Sequence, residues 1–195
     1  MKMFGYGLIT GLVVVGTAVS GYQRGTATQV ASDHAAVELL MAKDQIREQI
    51  YNYCRGLDRM DKPLSLAVWH PGATVNFAGN FTGTGPEWIE RVWVGHARIH
   101  SHAHQMTNII MKVNGDKATS ETYFIVSLHA QPTETSASTR LIRGRYADRW
   151  SRLNGKWAID HREILVDFET TETSSGPNPK APGRRDRTDS SYGYL

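Results

Sequence analysis

The chain is poor in cysteine, close to charge balance, and without a long apolar run in its body. Cys54 is the only cysteine among 195 residues, which excludes an intramolecular disulfide and a zinc finger. The formal net charge is only +3. A nucleic-acid binder would concentrate basic residues on one face, so this balance argues for no nucleic-acid partner. No motif presents a nucleophilic serine or cysteine. The "TGTG" at residues 82–85 is too short to suggest a phosphate cradle and reads as a loop. Against these absences stand a hydrophobic fraction of 40%, 5 Trp and 8 Tyr. That is enough for the core of one domain with extensions.

The one sustained apolar stretch lies at the start, in "MKMFGYGLITGLVVVGTAVSGYQRG". Lys2 gives a short basic opening, "LITGLVVV" an apolar centre, and "AVS" the small residues of a cleavage site. We expect a signal peptide over residues 1–20, a polar spacer over 21–32, and an exported protein, periplasmic or secreted. The alternative is an uncleaved segment that anchors the chain in a membrane, although the stretch is short and Gly-rich for a stable span. A single unpaired cysteine is compatible with an oxidising compartment.

Residues 33 to about 61 read as one long helix, with Asp33 as N-cap and an apolar face of Ile46, Ile50, Tyr53, Cys54 and Leu57. Pro63 closes it and can open a short helix, "PLSLAVWH". "PGATVNFAG" gives a turn and a short strand. "PEWIERVWVGHARIH" reads as a third helix with Trp88, Val92 and Ile99 on one side. Two hairpins follow, each with Asn-Gly between β-rich runs: "AHQMTNIIMKV" with "KATSETYFIVSLHA", and "TRLIRGRYADRWSRL" with "WAIDHREILVDFE". From residue 169 the composition is Ser, Thr, Pro, Gly and charge, and we expect a flexible tail over 169–195. The fold class is therefore α+β, with helices on one face of a curved, mainly antiparallel sheet. A long helix laid over such a sheet leaves a conical cavity, where ligands bind.

The segments "IREQIYNYCRGLDRMDKPLSLAVWHPGATV", "HQMTNIIMKVNGDKATSETYF" and "GRYADRWSRLNGKWAIDHREI" resemble the SnoaL-like branch of the nuclear transport factor 2-like superfamily. The resemblance covers roughly residues 40 to 168 and delimits a domain at 33–168. It implies an α+β cone. The superfamily includes ketosteroid isomerase, dehydratases, a hexachlorocyclohexane dehydrochlorinase and many proteins without catalysis, so the fold alone does not fix the function. Oligomers are common in it, which implies a homo-oligomer with the open sheet face as contact. The dehydratase and dehydrochlorinase members carry an aspartate near the end of the first helix. "GLDRMD" places Asp58 there. They pair it with a histidine four residues before an asparagine, and "HQMTN" supplies His104 and Asn108. An arginine follows the tryptophan of the last strand, and "KWAIDHREI" supplies Arg162. Five residues before the aspartate stands Tyr53, as in the bile-acid dehydratase. The dehydrochlorinase has a lysine there, which disfavours a halide as leaving group.

Read from residues alone, some choices stay open. Tyr53 and Asp58 are five apart, about 140° around a helix. By that angle Asp61 sits closer to the apolar stripe than Asp58. Strand alternation puts His104 on one face with Met106, Asn108 and Ile110. His100, His102 and His104 could invite a metal, but same-face positions advance about 6.5 Å per pair and three imidazoles of one strand rarely converge. We expect no metal and no cofactor. Arg143, Arg145 and Arg149 share a face that is either solvated or meets an anionic group. Tyr123, His129, Trp69 and Asn108 are the expected substrate-contacting residues, with Glu121 a weaker one.

The implied chemistry is that of a cofactor-independent lyase, most simply a dehydratase, acting on a small hydrophobic or alicyclic molecule. His104 is the candidate base, because imidazole ordinarily titrates near about 6.5. Asp58 orients it, Tyr53 protonates the leaving oxygen, and Arg162 stabilises negative charge. An isomerase using the same base and a binding module without turnover are the alternatives.

Overall fold

A computed structural model describes residues 12–175 and 183–195, with side chains from residue 26 onward. The expected leader over residues 1–20 lies largely outside them, and no helix among the described residues is long and apolar enough to cross a membrane. Helix α1 spans Leu12–Asp58, so the stretch expected as a polar spacer is helical. Beyond Gly21 and Gly25, which the helix accommodates, residues 26–41 hold neither Gly nor Pro, and Ala, Leu and Val predominate. Residues 1–41 and 42–195 are two separate units. The described side chains of the first are exposed throughout.

The second unit holds the core. Ala42, Ile46, Ile50, Tyr53, Cys54 and Leu57 recur at helical spacing on α1 and are all buried. The helix ends in a Schellman-type closure. Met60 takes the left-handed conformation (φ 52°), and the Asp61 N–H reaches back to the Gly56 carbonyl at 2.8 Å. This stop fixes Asp58 on the last turn. Asp61 caps the next helix, α2 (Lys62–Leu66), by accepting from the Leu64 N–H.

Strand β1 (Trp69–Phe77) follows, then β2 (Phe81–Thr84) and helix α3 (Gly85–His96). The "TGTG" segment is thus not a loop but the β2 edge strand and the α3 start. Thr84 and Glu87 form a reciprocal capping box there. The helix stops at His96 rather than running on to His100. The hairpins are β3 (Ser101–Asn114) with β4 (Lys117–His129), and β5 (Ser136–Leu153) with β6 (Lys156–Ser175). Gly115 turns the first with φ 56°, while Asn154 and Gly155 turn the second with φ 51° and 79°. Positive φ at both central residues is what a type I′ turn requires.

The sheet order is β2-β1-β6-β5-β4-β3. Every neighbouring pair is antiparallel except β1 and β6, which run parallel, so the sheet is mixed. Side chains of α1, β1 and α3 share one core with Phe124, Val126, Tyr146, Trp150, Trp157, Ile159 and Ile164 of the sheet. Two of its register shifts lie beside the site and the core. The β3–β4 register shifts between Met106 and Ile109. The β5–β6 register shifts beside Gly144, where a Cβ would lie 2.1 Å from the Leu165 carbonyl oxygen.

The expected tail is different from its composition. β6 runs on to Ser175, and residues 183–195 are anchored to the domain. Arg185 donates to the carbonyls of His96 and Ile99 at 2.7 and 2.6 Å. Arg187 and the Tyr192 hydroxyl both reach the Asp61 carboxylate, at 2.9 and 3.0 Å. Asp61, the rival to Asp58 in the sequence, is thus committed to capping and anchoring.

Candidate active site

Between the end of α1, α3 and the inner face of β4–β6 lies a cavity of about 570 Å³, within the usual range for small-molecule sites. Trp88 and Val92 of α3, Ile99 just beyond its end, and Phe124, Val126, Ile142 and Ile164 of the sheet give it apolar walls. Tyr53, His96 and His104 are polar groups in those walls.

His104 stands on β3 opposite the last turn of α1. Its Nδ1 meets Asp58 Oδ1 at 2.6 Å, and its backbone N–H donates to Asp58 Oδ2 at 2.9 Å. Both carboxylate oxygens are therefore held by one residue. A proton on Nδ1 facing a carboxylate leaves the Nε2 lone pair free. Asp58 itself lies outside the cavity lining, behind the ring it holds.

Two more histidines crowd this point. The His102 ring lies 4.1 Å from that of His96 and 5.8 Å from that of His104. His102 Nε2 donates to the Leu57 carbonyl at 2.7 Å. Burial, followed by the neighbouring imidazole, pushes both His96 and His102 down to about 3, so both are neutral at pH 7. Nδ1 of His96 is buried without a partner. A proton there would be an unsatisfied buried donor, so it belongs on Nε2. His96 is then a neutral N–H donor in the cavity wall. Sequence reading passed over it, although it falls one helical turn beyond Val92 on the same α3 face.

Ligand atoms of Asp58, His102 and His104 lie within 4.8 Å of one another. A metal needs unprotonated ligand nitrogens. Here the facing nitrogens of both histidines carry protons in hydrogen bonds to Asp58 and Leu57. As placed, Asp58 and His104 form a hydrogen-bonded pair, with His102 bonded beside it to the end of α1. His100 is exposed and takes no part.

Tyr53 borders the cavity, and Trp88 Nε1 donates to its hydroxyl at 3.0 Å. With that oxygen already accepting, the phenolic proton is available to a ligand. Burial raises the Tyr53 pKa and the Arg162 charge opposes the rise, so the phenol stays protonated.

Arg162 is not where the resemblance implied. It is fully buried and gives Asp148 two hydrogen bonds, at 2.7 and 2.8 Å. Its guanidinium sits 4.1 Å from the Tyr146 ring centre, 4.4 Å from Tyr53 and 5.4 Å from Trp69. It does not line the cavity. Burial works against its charge, but Asp148 outweighs burial and holds its pKa above the ordinary value.

The expected substrate contacts also move. The β3 bulge breaks the alternation, so Asn108 is exposed and Ile109, not Ile110, packs on the core. Tyr123 points to the outer face beneath Arg145, and Phe124 takes the inner position. Glu121 lies on the outer side as well, near Arg145. Trp69 packs edge-on behind Tyr53, with ring centres 5.9 Å apart. His129 bonds the Thr139 hydroxyl at 2.9 Å. None of these expected contacts lines the cavity. Of the arginine strand, Arg145 is paired with Asp167 at 2.9 Å on the outer face.

Comparison with known structures gives the same fold. A scytalone dehydratase-like protein of Novosphingobium aromaticivorans superposes with a TM-score of 0.61 at 19% identity, covering 74% of this chain and 97% of its own. The hexachlorocyclohexane dehydrochlorinase LinA-type3 of Novosphingobium barchaimii does so at 0.61 and 19%, covering 70% and 93%. A second dehydrochlorinase of that name, LinA type 2, reaches 0.62 at 18%, covering 75% and 98%. No curated protein sequence matches the chain. The SnoaL-like domain family model matches residues 38–163, most of the chain, and the protein belongs to that family.

Proposed function

We propose that the protein is a cofactor-independent lyase of the dehydratase type, acting on a small hydrophobic or alicyclic substrate. The observation that carries this reading is the 2.6 Å contact between Asp58 and His104 at the wall of an apolar cavity. Asp58 orients the imidazole and stabilises the charge it gains. His104 Nε2 removes a proton from carbon as general base. The Tyr53 hydroxyl gives its proton to the departing hydroxyl group, which leaves as water. His96 Nε2–H stabilises negative charge developing on a substrate oxygen. Arg162 acts at one remove, through the ring of Tyr53. The relatives named dehydratase or dehydrochlorinase support an elimination in general, and the tyrosine supports an oxygen leaving group in particular.

The test is product mass on a panel of hydroxylated alicyclic and aryl-fused ketones. Loss of 18 mass units that depends on His104 supports the proposal. We expect His104→Ala to lower kcat by about 10² to 10⁴, the usual worth of a general base. A product of unchanged mass would assign the same base to an isomerase. Turnover that survives His104→Ala would overturn the mechanism.

A further inference from the structure

The exposed polar residues of the lining mark the mouth of the cavity: Asn80, Arg91, Arg140 and Glu169. Their charges are unevenly matched. Arg140 gives Glu169 a two-pronged pair, Nε to Oε1 at 2.5 Å and Nη2 to Oε2 at 2.7 Å. That guanidinium and that carboxylate satisfy each other.

Arg91 has no carboxylate within ion-pair distance among the described residues. Its guanidinium carbon lies over the Phe81 ring, 5.9 Å from the ring centre. The reason lies in α3. Glu87 stands one turn earlier, the ordinary helical partner for an arginine. Its Oε2 instead accepts from the Thr84 N–H and hydroxyl at 2.7 and 2.8 Å in the capping box. Glu90, the next acid on the helix, pairs with Lys62. The third cation near the cavity, Arg162, is sealed behind Tyr53 and paired with Asp148. Arg91 is therefore an uncompensated positive group at the mouth of an apolar chamber.

We infer that the cavity takes an amphipathic anion, with its ring system among the apolar walls and a carboxylate, sulfonate or similar group held at the mouth by Arg91. This rests on the reading of the cavity as a ligand site, and narrows the substrate class within it. A purely apolar ligand would leave the Arg91 charge unused. A cationic ligand would be repelled by it. An anion extending from the ring system completes the charge at the rim, where water still reaches the guanidinium and desolvation is modest.

Two dyes of nearly the same shape test this. 8-Anilinonaphthalene-1-sulfonate carries one sulfonate, and N-phenyl-1-naphthylamine lacks it. Both are titrated by fluorescence against the full chain, its Arg91→Gln variant, and Arg143→Gln as a control. Arg143 is exposed and lies outside the cavity lining. The expected result is about tenfold tighter binding of the anionic dye at low salt. Arg91→Gln should erase that preference and leave the neutral dye unchanged, while Arg143→Gln preserves it. Added salt should weaken the anionic dye alone. Equal affinity for both dyes, or a preference that survives Arg91→Gln, would overturn the inference and leave the cavity reading intact. No saturable binding of either dye would overturn the cavity reading itself. Neither result depends on turnover, so loss of catalysis in His104→Ala is read separately.

Discussion

Replacing Asp148 with Ala should cost far more stability than replacing the whole ion pair. Arg162 and Asp148 both have fully buried side chains. The guanidinium spends Nε and Nη2 on Asp148, and Nη1 already lacks a partner. Three aromatic faces lie against it at 4.1, 4.4 and 5.4 Å. Those faces are present before and after the substitution, so they cannot compensate for the lost carboxylate. An unpaired buried charge costs about 3–5 kcal/mol. With a urea m-value of about 2 kcal/mol/M, the midpoint should fall by roughly 1.5–2.5 M. The double variant Asp148→Leu with Arg162→Met removes both desolvation penalties and keeps the volume. It should lie within about 1–2 kcal/mol of the parent. The cycle is completed by Arg162→Met alone and read by urea unfolding followed by fluorescence. A single Asp148→Ala variant within about 1 kcal/mol of the parent, or a double variant as unstable as the sum of the singles, would refute the reasoning.

Two further outcomes follow from packing and protonation. Gly144→Ala would push a methyl group against the Leu165 carbonyl at 2.1 Å and Phe124 Cζ at 2.7 Å; backbone cannot yield there as a side-chain tip can. We expect a loss of about 1–3 kcal/mol, seen as a lower Tm in thermal unfolding. His96 and His102 titrate near 3 when folded and near the ordinary 6.5 when unfolded. The unfolded chain thus binds more protons, and the stability contributed above about pH 6.5 is lost as pH falls toward 3. Each histidine should contribute a slope of up to about 1.4 kcal/mol per pH unit in that window. Urea midpoints from pH 7 to 4 should show it, and His96→Phe should remove about half; an unchanged slope would contradict the buried neutral pair.

Local patterns in the sequence were enough for the α1 stripe, where Ile46, Ile50, Tyr53 and Leu57 repeat each turn, and for both Asn-Gly hairpins. They were also enough for the α3 side that lines the cavity with Trp88 and Val92; Ile99 lines it too, but from the turn beyond the helix. Features set by distant partners were not legible. The parallel pairing of β1 with β6 joins segments some ninety residues apart, as Val75 with Arg162 shows. The bulge after Met106 has no Gly or Pro to announce it, yet it turns Asn108 outward. Tyr123 and Phe124 are equally good strand residues, and only the register with β5 decides which faces inward. Arg162 looked like a cavity residue because nothing near it in sequence reveals that Asp148, across the β5–β6 ladder, claims it. The composition of residues 183–195 suggests disorder, but Arg185, Arg187 and Tyr192 find acceptors on the domain.

The proposed chemistry depends on the protonation of one imidazole. The most direct measurement is nitrogen-15 and proton NMR of the His104 ring at pH 8.5, where a free imidazole is neutral. The 2.6 Å contact with Asp58 predicts a proton fixed on Nδ1, a strongly downfield resonance for it, and an unprotonated Nε2. Asp58→Asn should abolish the downfield signal. A proton on Nε2, or the rapid averaging of a free ring, would contradict the orienter and base pair from which the proposed chemistry is built.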